Sequence, residues 1–381
     1  MARILIGMSG GVGSSVAASI LKRDTHDVVG VTLLFDDAVA SLDAAKCAAD
    51  MAAKLGIEHQ TIDASDVYEQ RFAAPVAAAF AQGQEPSLAA LFTCDVLMPL
   101  LFNQARALKC AQVATGHYAG TVMESGGIGT YPWRLMRAHD TYNDQSYLLW
   151  RLSQDELNRL RLPLAQMQEM NVRVDAMRQG LMVPQVPSGQ SLYLYGSGSS
   201  SLPEWLAARG VKAATGDCVD LSTGTVLGRH DGLPLCPLGK KFEFDNPRAG
   251  MPQDATLPPV QEDNDQEAAE VEPLLEPDTL ERYVAAKDMS CNIAYVGSAA
   301  QASVESCVVK DVFWTSIHPI DAKRSCRVRL DMQQNPRPCT LAPMPDGRLT
   351  VSFTLPVAGL ASGKSVVFYS DDMVLGGGII A

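Results

Sequence analysis

Three groups of side chains in this 381-residue chain could do chemistry. The first is the loop Gly7-Met8-Ser9-Gly10-Gly11-Val12-Gly13-Ser14. The apolar run Ile4 to Ile6 leads into it, and Val16, Ala17, Ile20 and Leu21 follow at helical spacing. The pattern is strand, glycine-rich turn, helix. Consecutive glycines let backbone N–H groups converge on one point, and a helix start adds partial positive charge there. Ser9, Ser14 and Ser15 add hydroxyl donors, so the loop reads as a cradle for phosphate or pyrophosphate. The second group is sulfur: nine cysteines, at 47, 94, 110, 218, 236, 291, 307, 326 and 339. The third is polar and sits in two short stretches, Thr115-Gly116-His117-Tyr118 and Asn143-Asp144-Gln145-Ser146-Tyr147.

Several chemistries are disfavoured at once. The loop lacks the lysine of a P-loop NTPase and is not a G-x-G-x-x-G dinucleotide turn. No C-x-x-C pair occurs, so zinc or iron–sulfur ligation has little support, and no metal site is assigned. Without a secretion signal, reduced thiols in the cytoplasm are the expectation. No apolar run is expected to span a membrane. The net charge of −12 argues against a DNA-binding or nonspecific nucleic-acid-binding surface. It leaves RNA open, because nine acidic residues and no Lys or Arg fall between Gln261 and Glu281.

The elements that must hold these groups alternate. Asp27 to Phe35 reads as a second buried strand, Asp43 to Leu55 as a helix, Glu58 to Ile62 as a strand and Asp66 to Ala81 as a helix. Cys94 to Leu108 reads as another helix, and Ala111 to Ala114 as a strand ending at Gly116-His117. Alternation of this kind predicts an α/β fold with a doubly wound parallel sheet. Such sheets bind ligands beyond the carboxyl ends of their strands, so the Ser9 loop and His117 are placed to share one site. Gly216 to Arg229 reads as a hairpin turning at Ser222-Thr223-Gly224. Residues 246–281 form an acidic, proline-rich linker or insertion, and short alternating segments from Arg282 onward predict a small β-barrel or sandwich. Domains are expected at 1–200, 201–245 and 282–381.

The loop resembles the S-G-G-x-D-S loop of the PP-loop ATP pyrophosphatases, with Gly13 where that family has Asp. The full order of motifs resembles the tRNA-specific 2-thiouridylases. Ala114-Thr115-Gly116-His117-Tyr118 matches their A-T-G-H-Y, and Asn143-Asp144-Gln145-Ser146-Tyr147 is similar to their K-D-Q-S-Y. Gly228-Arg229-His230-Asp231-Gly232, Gly239-Lys240-Lys241, Tyr283-Val284 and Leu375 to Ile380 resemble later motifs of the family. The resemblance implies an adenine-nucleotide hydrolase-like N-terminal domain, a small central domain and a C-terminal β-barrel. It implies ATP and Mg2+ as cofactors, tRNA as substrate and a protein that donates sulfur. ATP and its phosphates would be held by Gly7 to Ser14, Leu33 and Gly116. Residues implied to face tRNA are His117, Asn143, Asp144, Gln145, Arg329, Leu330 and Lys364. The activity implied is 2-thiouridine formation at the wobble position, U34, by adenylation of the uracil and transfer of a persulfide sulfur.

Two departures bear on that activity. The family's first cysteine falls at Cys94 once a short deletion is allowed, and a helix-start position there would lower its pKa. The competing reading is a small buried hydrophobe. The persulfide cysteine falls at Tyr193, in Ser188 to Gly196, and a phenol cannot carry a persulfide. Gly13 also lacks a carboxylate that could steady magnesium or ATP. A chain that binds ATP or RNA without sulfur transfer, or adenylates another substrate, therefore stands as the alternative.

Overall fold

The structure, a computed structural model, describes residues 2–124, 129–181, 201–242 and 281–381. Tyr193, the stretch around it and the acidic segment up to residue 280 lie outside these. Strands β1 (Arg3–Gly7), β2 (Asp27–Leu34), β3 (Glu58–Asp63) and β4 (Gln112–Ala114) belong to one sheet. After the hairpin β5 (Ala119–Met123) and β6 (Trp133–Arg137), the short β7 (Leu160–Arg161) completes it. All pairings are parallel, in the order β3-β2-β1-β4-β7. Ile4, Leu5 and Ile6 are fully buried because both faces of β1 are covered. Ile4 and Ile6 pack with Val16, Ala17, Ala48 and Met51 from α1 (Val12–Arg23) and α2 (Val39–Leu55). Leu5 faces the other way, against Leu101, Phe102 and Ala105. The chain runs outward from β1 to β2 and β3, then returns to β1's other side as β4. The carboxyl ends of β1 and β4 therefore flank the switch in strand order, where open α/β sheets take ligands.

The helix expected from Cys94 instead runs Leu88–Ala107 and contains a π-turn at Thr93–Leu97. Its first turn is set by Pro86 and Ser87, whose carbonyl accepts from Leu91 N at 3.0 Å. Phe92 pins that turn against Phe35, with ring centroids 4.9 Å apart, and against Tyr68 and Phe72. This helix also corrects the expectation that no segment matches a membrane span. By length and composition it could cross one, but Val96, Met98, Leu101, Phe102 and Ala105 are buried in the protein core.

The C-terminal barrel is made of β13 (Ser303–Trp314), β14 (Arg324–Arg329), β15 (Arg337–Pro343), β16 (Leu349–Ala358), β17 (Ser365–Ser370) and β18 (Met373–Ile380). Their order is β13-β16-β15-β14-β17-β18, and a β13–β18 pairing closes the ring. The hairpin β5–β6 adds to β18 through Met136↔Met373 and Leu135↔Val374. Five strands preceding the barrel form a separate sheet: β8 (Gly216–Asp220), β9 (Val226–His230), β10 (Lys241–Phe242), β11 (Arg282–Asp288) and β12 (Ile293–Gly297), ordered β10-β11-β12-β8-β9. The expected hairpin is β8–β9.

Two expected boundaries change as a result. Residues 282–297 join the central sheet rather than the barrel, because Val284, Ala294 and Val296 share a small core with Cys218, Leu227 and Leu233. Short alternating strands read the same in sequence whichever sheet they join. The barrel and the N-terminal α/β region also form one compact unit: Met1–Val211, Ser306–Leu355 and Ser362–Ala381. The second unit is Lys212–Glu305 with Pro356–Ala361. Within the first, Val367, Tyr369 and Val374 of the barrel share a core with Leu5, Val29 and Leu101.

Candidate functional site

The loop after β1 is held in shape from below. Met8 N donates to Val31 O at 2.8 Å, and Thr32 Oγ1 donates to Met8 O at 2.8 Å. His59 Nε2 lies 2.9 Å from the same Thr32 hydroxyl. Since that hydroxyl gives its proton to Met8 O, the imidazole must be the donor to it. Met8 itself is 2 % exposed and is frame rather than contact surface. Gly10 has φ +77°, and a Cβ there would stand 2.3 Å from Ala44 O. No side chain can replace that glycine without moving α2.

α1 begins directly after Gly11, with no acidic residue in its first turn and Lys22 and Arg23 in its last. Its first N–H groups have no intrahelical acceptor and point out of the helix end, where the dipole favours an anion. Ser9 is exposed at this end. Ser14 Oγ and Ser15 Oγ both donate to Gly11 O, at 3.1 and 3.0 Å. Ser15 is fully buried, so its hydroxyl braces the turn instead of reaching an anion, as the sequence suggested. Val12 packs against the core, and Gly7 approaches Leu101. Leu33 lies half-buried at the carboxyl end of β2, paired with Ile62.

Gly116 closes the site from β4. A Cβ on it would lie 2.7 Å from Ser14 N and 2.8 Å from Gly13 C, so its backbone lies directly against the start of α1. Position 13 is roomier: a Cβ there would meet Gly116 O at 3.4 Å and Leu164 Cδ1 at 3.5 Å. Within the loop Ser9 N donates to Ser14 Oγ at 3.2 Å and Gly11 N to Ser9 Oγ at 3.3 Å, so an anion here would be met by the first turn of α1 rather than by these two N–H groups. Among the described residues no three His, Cys, Asp or Glu side chains cluster to hold a metal ion.

His117 follows Gly116, with Nδ1 2.9 Å from Thr115 Oγ1. Burial pulls its pKa down to about 4. It is a neutral imidazole at ordinary pH and no cation for a phosphate. Tyr118 is clasped by Gln145: Tyr118 N donates to Gln145 Oε1 at 3.0 Å, and Gln145 N donates to Tyr118 O at 2.7 Å. Gln145 therefore holds the β4 loop, where a tRNA contact was expected.

Asp144 and Arg329 likewise turn inward. Asp144 is 1 % exposed and accepts from Ala138 N, Ser146 N and Ser146 Oγ. Arg329 Nη1 reaches it at 2.5 Å from β14, and Arg137 Nε at 3.4 Å. With 3 % exposure, the Arg329 guanidinium packs beside the Tyr147 and Tyr369 rings and does not reach solvent phosphates. Asn143 binds Asp140 through its N–H and its side-chain amide. Leu330 and Lys364 come together with Pro86, Ser87, Leu88 and Asp331 around a pocket of about 300 Å³. Lys364 Nζ lies 3.5 Å from Glu85 Oε2 there.

Cys94 sits in the π-turn, past the helix start, so the expected lowering of its pKa does not occur. Its sulfur donates to Leu148 O at 3.4 Å. Burial, then the neighbouring Asp95, push the thiol up to about 12. Arg151 pairs with Asp95 at 2.8 Å and offsets only part of this. His230 has a structural role: Gly232 N donates to its Nδ1 at 3.0 Å. The Thr32–His59 brace was missed, because nothing in single-strand periodicity marks a threonine and a histidine that meet across β2 and β3.

Residues 2–195 match the family described as tRNA methyl transferase HUP domain, and residues 304–380 match the aminomethyltransferase beta-barrel domain. The tRNA-specific 2-thiouridylase MnmA of Trichormus variabilis is 31% identical over 100% of this chain and 99% of its own length. The chain belongs to the tRNA-specific 2-thiouridylase family. The relative of the same name from Methylobacterium radiotolerans is 32% identical over 99% of this chain and 93% of its own. The relative from Nostoc punctiforme is 30% identical over 100% and 99%. In this 2-thiouridylase-family chain, the motifs therefore divide by job. The Ser9 loop and Gly116 meet at the start of α1, while Asp144, Gln145 and Arg329 hold the frame together.

Proposed function

We propose that this chain is an ATP-dependent tRNA sulfurtransferase that makes 2-thiouridine at U34. The observation that carries the reading is the close fit of Gly116 against the start of α1, beside the Ser9 loop, at the switch in strand order. In this reading the first N–H groups of α1 are the donors for the phosphates of ATP. The uracil O2 attacks the α-phosphorus, pyrophosphate leaves, and C2 now carries an adenylate leaving group. A sulfur nucleophile adds to C2 and AMP departs. The same N–H groups stabilise the charge that develops on the phosphates, a contribution commonly worth several kcal/mol. tRNA and a sulfur-donor protein are the partners this requires.

Cys94 favours one version of the chemistry. A thiol pushed up to about 12 is almost fully protonated at neutral pH and is a poor nucleophile. With Tyr193 at the other expected position, sulfur supplied from outside the chain as sulfide, which gives the thiocarbonyl directly as AMP leaves, is the better match. The second reading, adenylation or RNA binding without sulfur transfer, draws on the same two residues.

The experiment is thiolation of unmodified tRNA transcript with ATP, Mg2+ and sulfide, read as retarded migration in a mercury-containing gel. ATP-dependent product supports the first reading. No product, beside a working relative in the same assay, overturns it and leaves the second. Product that survives Cys94→Ala assigns the sulfur to an external donor.

A further inference from the structure

Strands β14 and β15 bring two cysteines face to face. Cys326 is the direct partner of Cys339 in the ladder. Their sulfurs are 3.4 Å apart. Directly opposed residues in an antiparallel pair have Cα atoms about 4.5–5.5 Å apart. That lies within the roughly 4.4–6.8 Å that a disulfide spans. Bonding therefore needs side-chain rotation and no shift of the strands. The pair sits far along the chain from the Ser9 loop and belongs to none of the family motifs.

We propose that Cys326 and Cys339 form a reversible disulfide, a modification site in the barrel wall that takes low-molecular-weight disulfides as oxidant. The inference is independent of the thiolation reading. Cys326 is half-buried and Cys339 is buried, so Cys326 is the sulfur an external reagent meets. Its thiolate attacks one sulfur of the reagent R–S–S–R. The reagent's bond breaks, and one R–S− leaves and takes up a proton. Cys326 then carries a mixed disulfide. The Cys339 sulfur attacks Cys326 Sγ, the second R–S− leaves as thiol, and the Cys326–Cys339 bond is made. In sum, two protein thiols are oxidised and one external disulfide is reduced to two thiols.

The surroundings favour that order. The Cys326 sulfur beside it is the main cause holding the Cys339 thiol protonated, with burial second. That first cause is the hydrogen bond between the two sulfurs, and a mixed disulfide on Cys326 removes its S–H from it. Cys307 on β13 is the competing partner: its pKa is raised to about 12 by burial, with a smaller effect of Cys339. Cys307 is not opposed to either cysteine in the β14–β15 ladder.

Once formed, the bond ties β15 to β14, the strand that ends at the Arg329 anchor. The full-length chain is equilibrated with oxidised and reduced glutathione in varied ratios, quenched in acid, alkylated, digested and analysed by mass spectrometry. The expected result is a peptide cross-linked at Cys326 and Cys339 that grows with the oxidised fraction and disappears on reduction. Melting rises by several degrees between the reduced and oxidised forms, and Cys307→Ser changes neither result. Cys326→Ser removes the cross-link and melts like the reduced wild type. A cross-link from Cys307 to Cys339 overturns the proposal. So does a glutathione adduct on Cys326 that never resolves to the cross-link.

Discussion

Arg329 on β14 is joined to Asp144, in the stretch between β6 and β7, by a 2.5 Å ion pair with both side chains buried. The pair ties the barrel to the α/β region inside one compact unit. Asp144 also accepts from two backbone N–H groups and from Ser146 Oγ, so the charge is fully hydrogen-bonded. Breaking one side of such a pair leaves a buried charge and costs about 3–5 kcal/mol. Arg329→Ala and Asp144→Ala are each expected to lose that much in urea unfolding. The double variant is expected to lose less than the sum, because the second change removes the orphaned charge. At equal folded fraction, the salt dependence of tRNA binding is unchanged by Arg329→Ala. A slope reduced by about one unit would instead place the guanidinium on a phosphate.

Gly116 tests the cradle. A Cβ 2.7 Å from Ser14 N must push α1 away or displace the β4 loop. Overpacking of this kind costs about 1–3 kcal/mol of stability. Gly116→Ala is expected to weaken ATP binding at least tenfold in calorimetry, while Gly56→Ala serves as a control. Gly56 has open space around it but φ +61°, so it loses stability without losing nucleotide.

How much of this was legible in sequence depends on which interactions are local. The strand–loop–helix at Ile4 to Leu21 declares itself by periodicity and glycine, and β4 by an apolar run ending in Gly116. Their meeting follows from parallel-sheet rules. Asp144 and Arg329 are 185 residues apart, and nothing near either marks the other as its partner. Each looks like a polar residue free to meet RNA until the barrel is built. Cys94 misleads for a different reason. The helix around it starts at Leu88 because of Ser87 and the Phe92 ring contacts, both invisible to a reading anchored on the cysteine.

Position 13 has room for a carboxylate. A Cβ added there would have its nearest atoms at 3.4 and 3.5 Å, ordinary contact distance. Gly13→Asp is therefore expected to fold with a melting temperature near wild type. Its negative charge at an anion cradle is unfavourable alone, so pyrophosphate binding without divalent ions weakens. With Mg2+ the carboxylate gains a cation to share with the phosphates, and binding recovers beyond wild type. Calorimetric titration with and without Mg2+ reads both signs. Equal weakening in both conditions sinks this account of the site.

His117 sets a pH window for stability. The unfolded chain takes up its proton near 6.5, whereas burial holds the folded imidazole neutral down to about 4. The unfolded state thus binds more protons in between. The stability from this group is present above 6.5 and is lost as pH falls toward 4. His117→Gln is expected to flatten that part of the urea-unfolding profile. In two-dimensional NMR, the His117 ring signals are expected to hold their neutral positions through pH 6.

Cys94 runs the opposite way. The unfolded thiol ionises near the ordinary value of 9.0, but the folded one waits until about 12. The folded state keeps a proton that the unfolded state gives up, so this contribution to stability is present below 9 and lost on the way to 12. Reactivity follows the same displacement. Each unit of raised pKa removes about tenfold of the thiolate at a given pH. Native Cys94 is therefore expected to react with iodoacetamide at least a hundredfold more slowly at pH 8 than the exposed Cys291, with peptide mapping used to separate them. If adding tRNA and ATP brings Cys94 up to the rate of Cys291, the π-turn opens on substrate binding and the cysteine regains a place in sulfur transfer. If the rate stays low under turnover conditions, the sulfur that reaches the uracil does not pass through this residue.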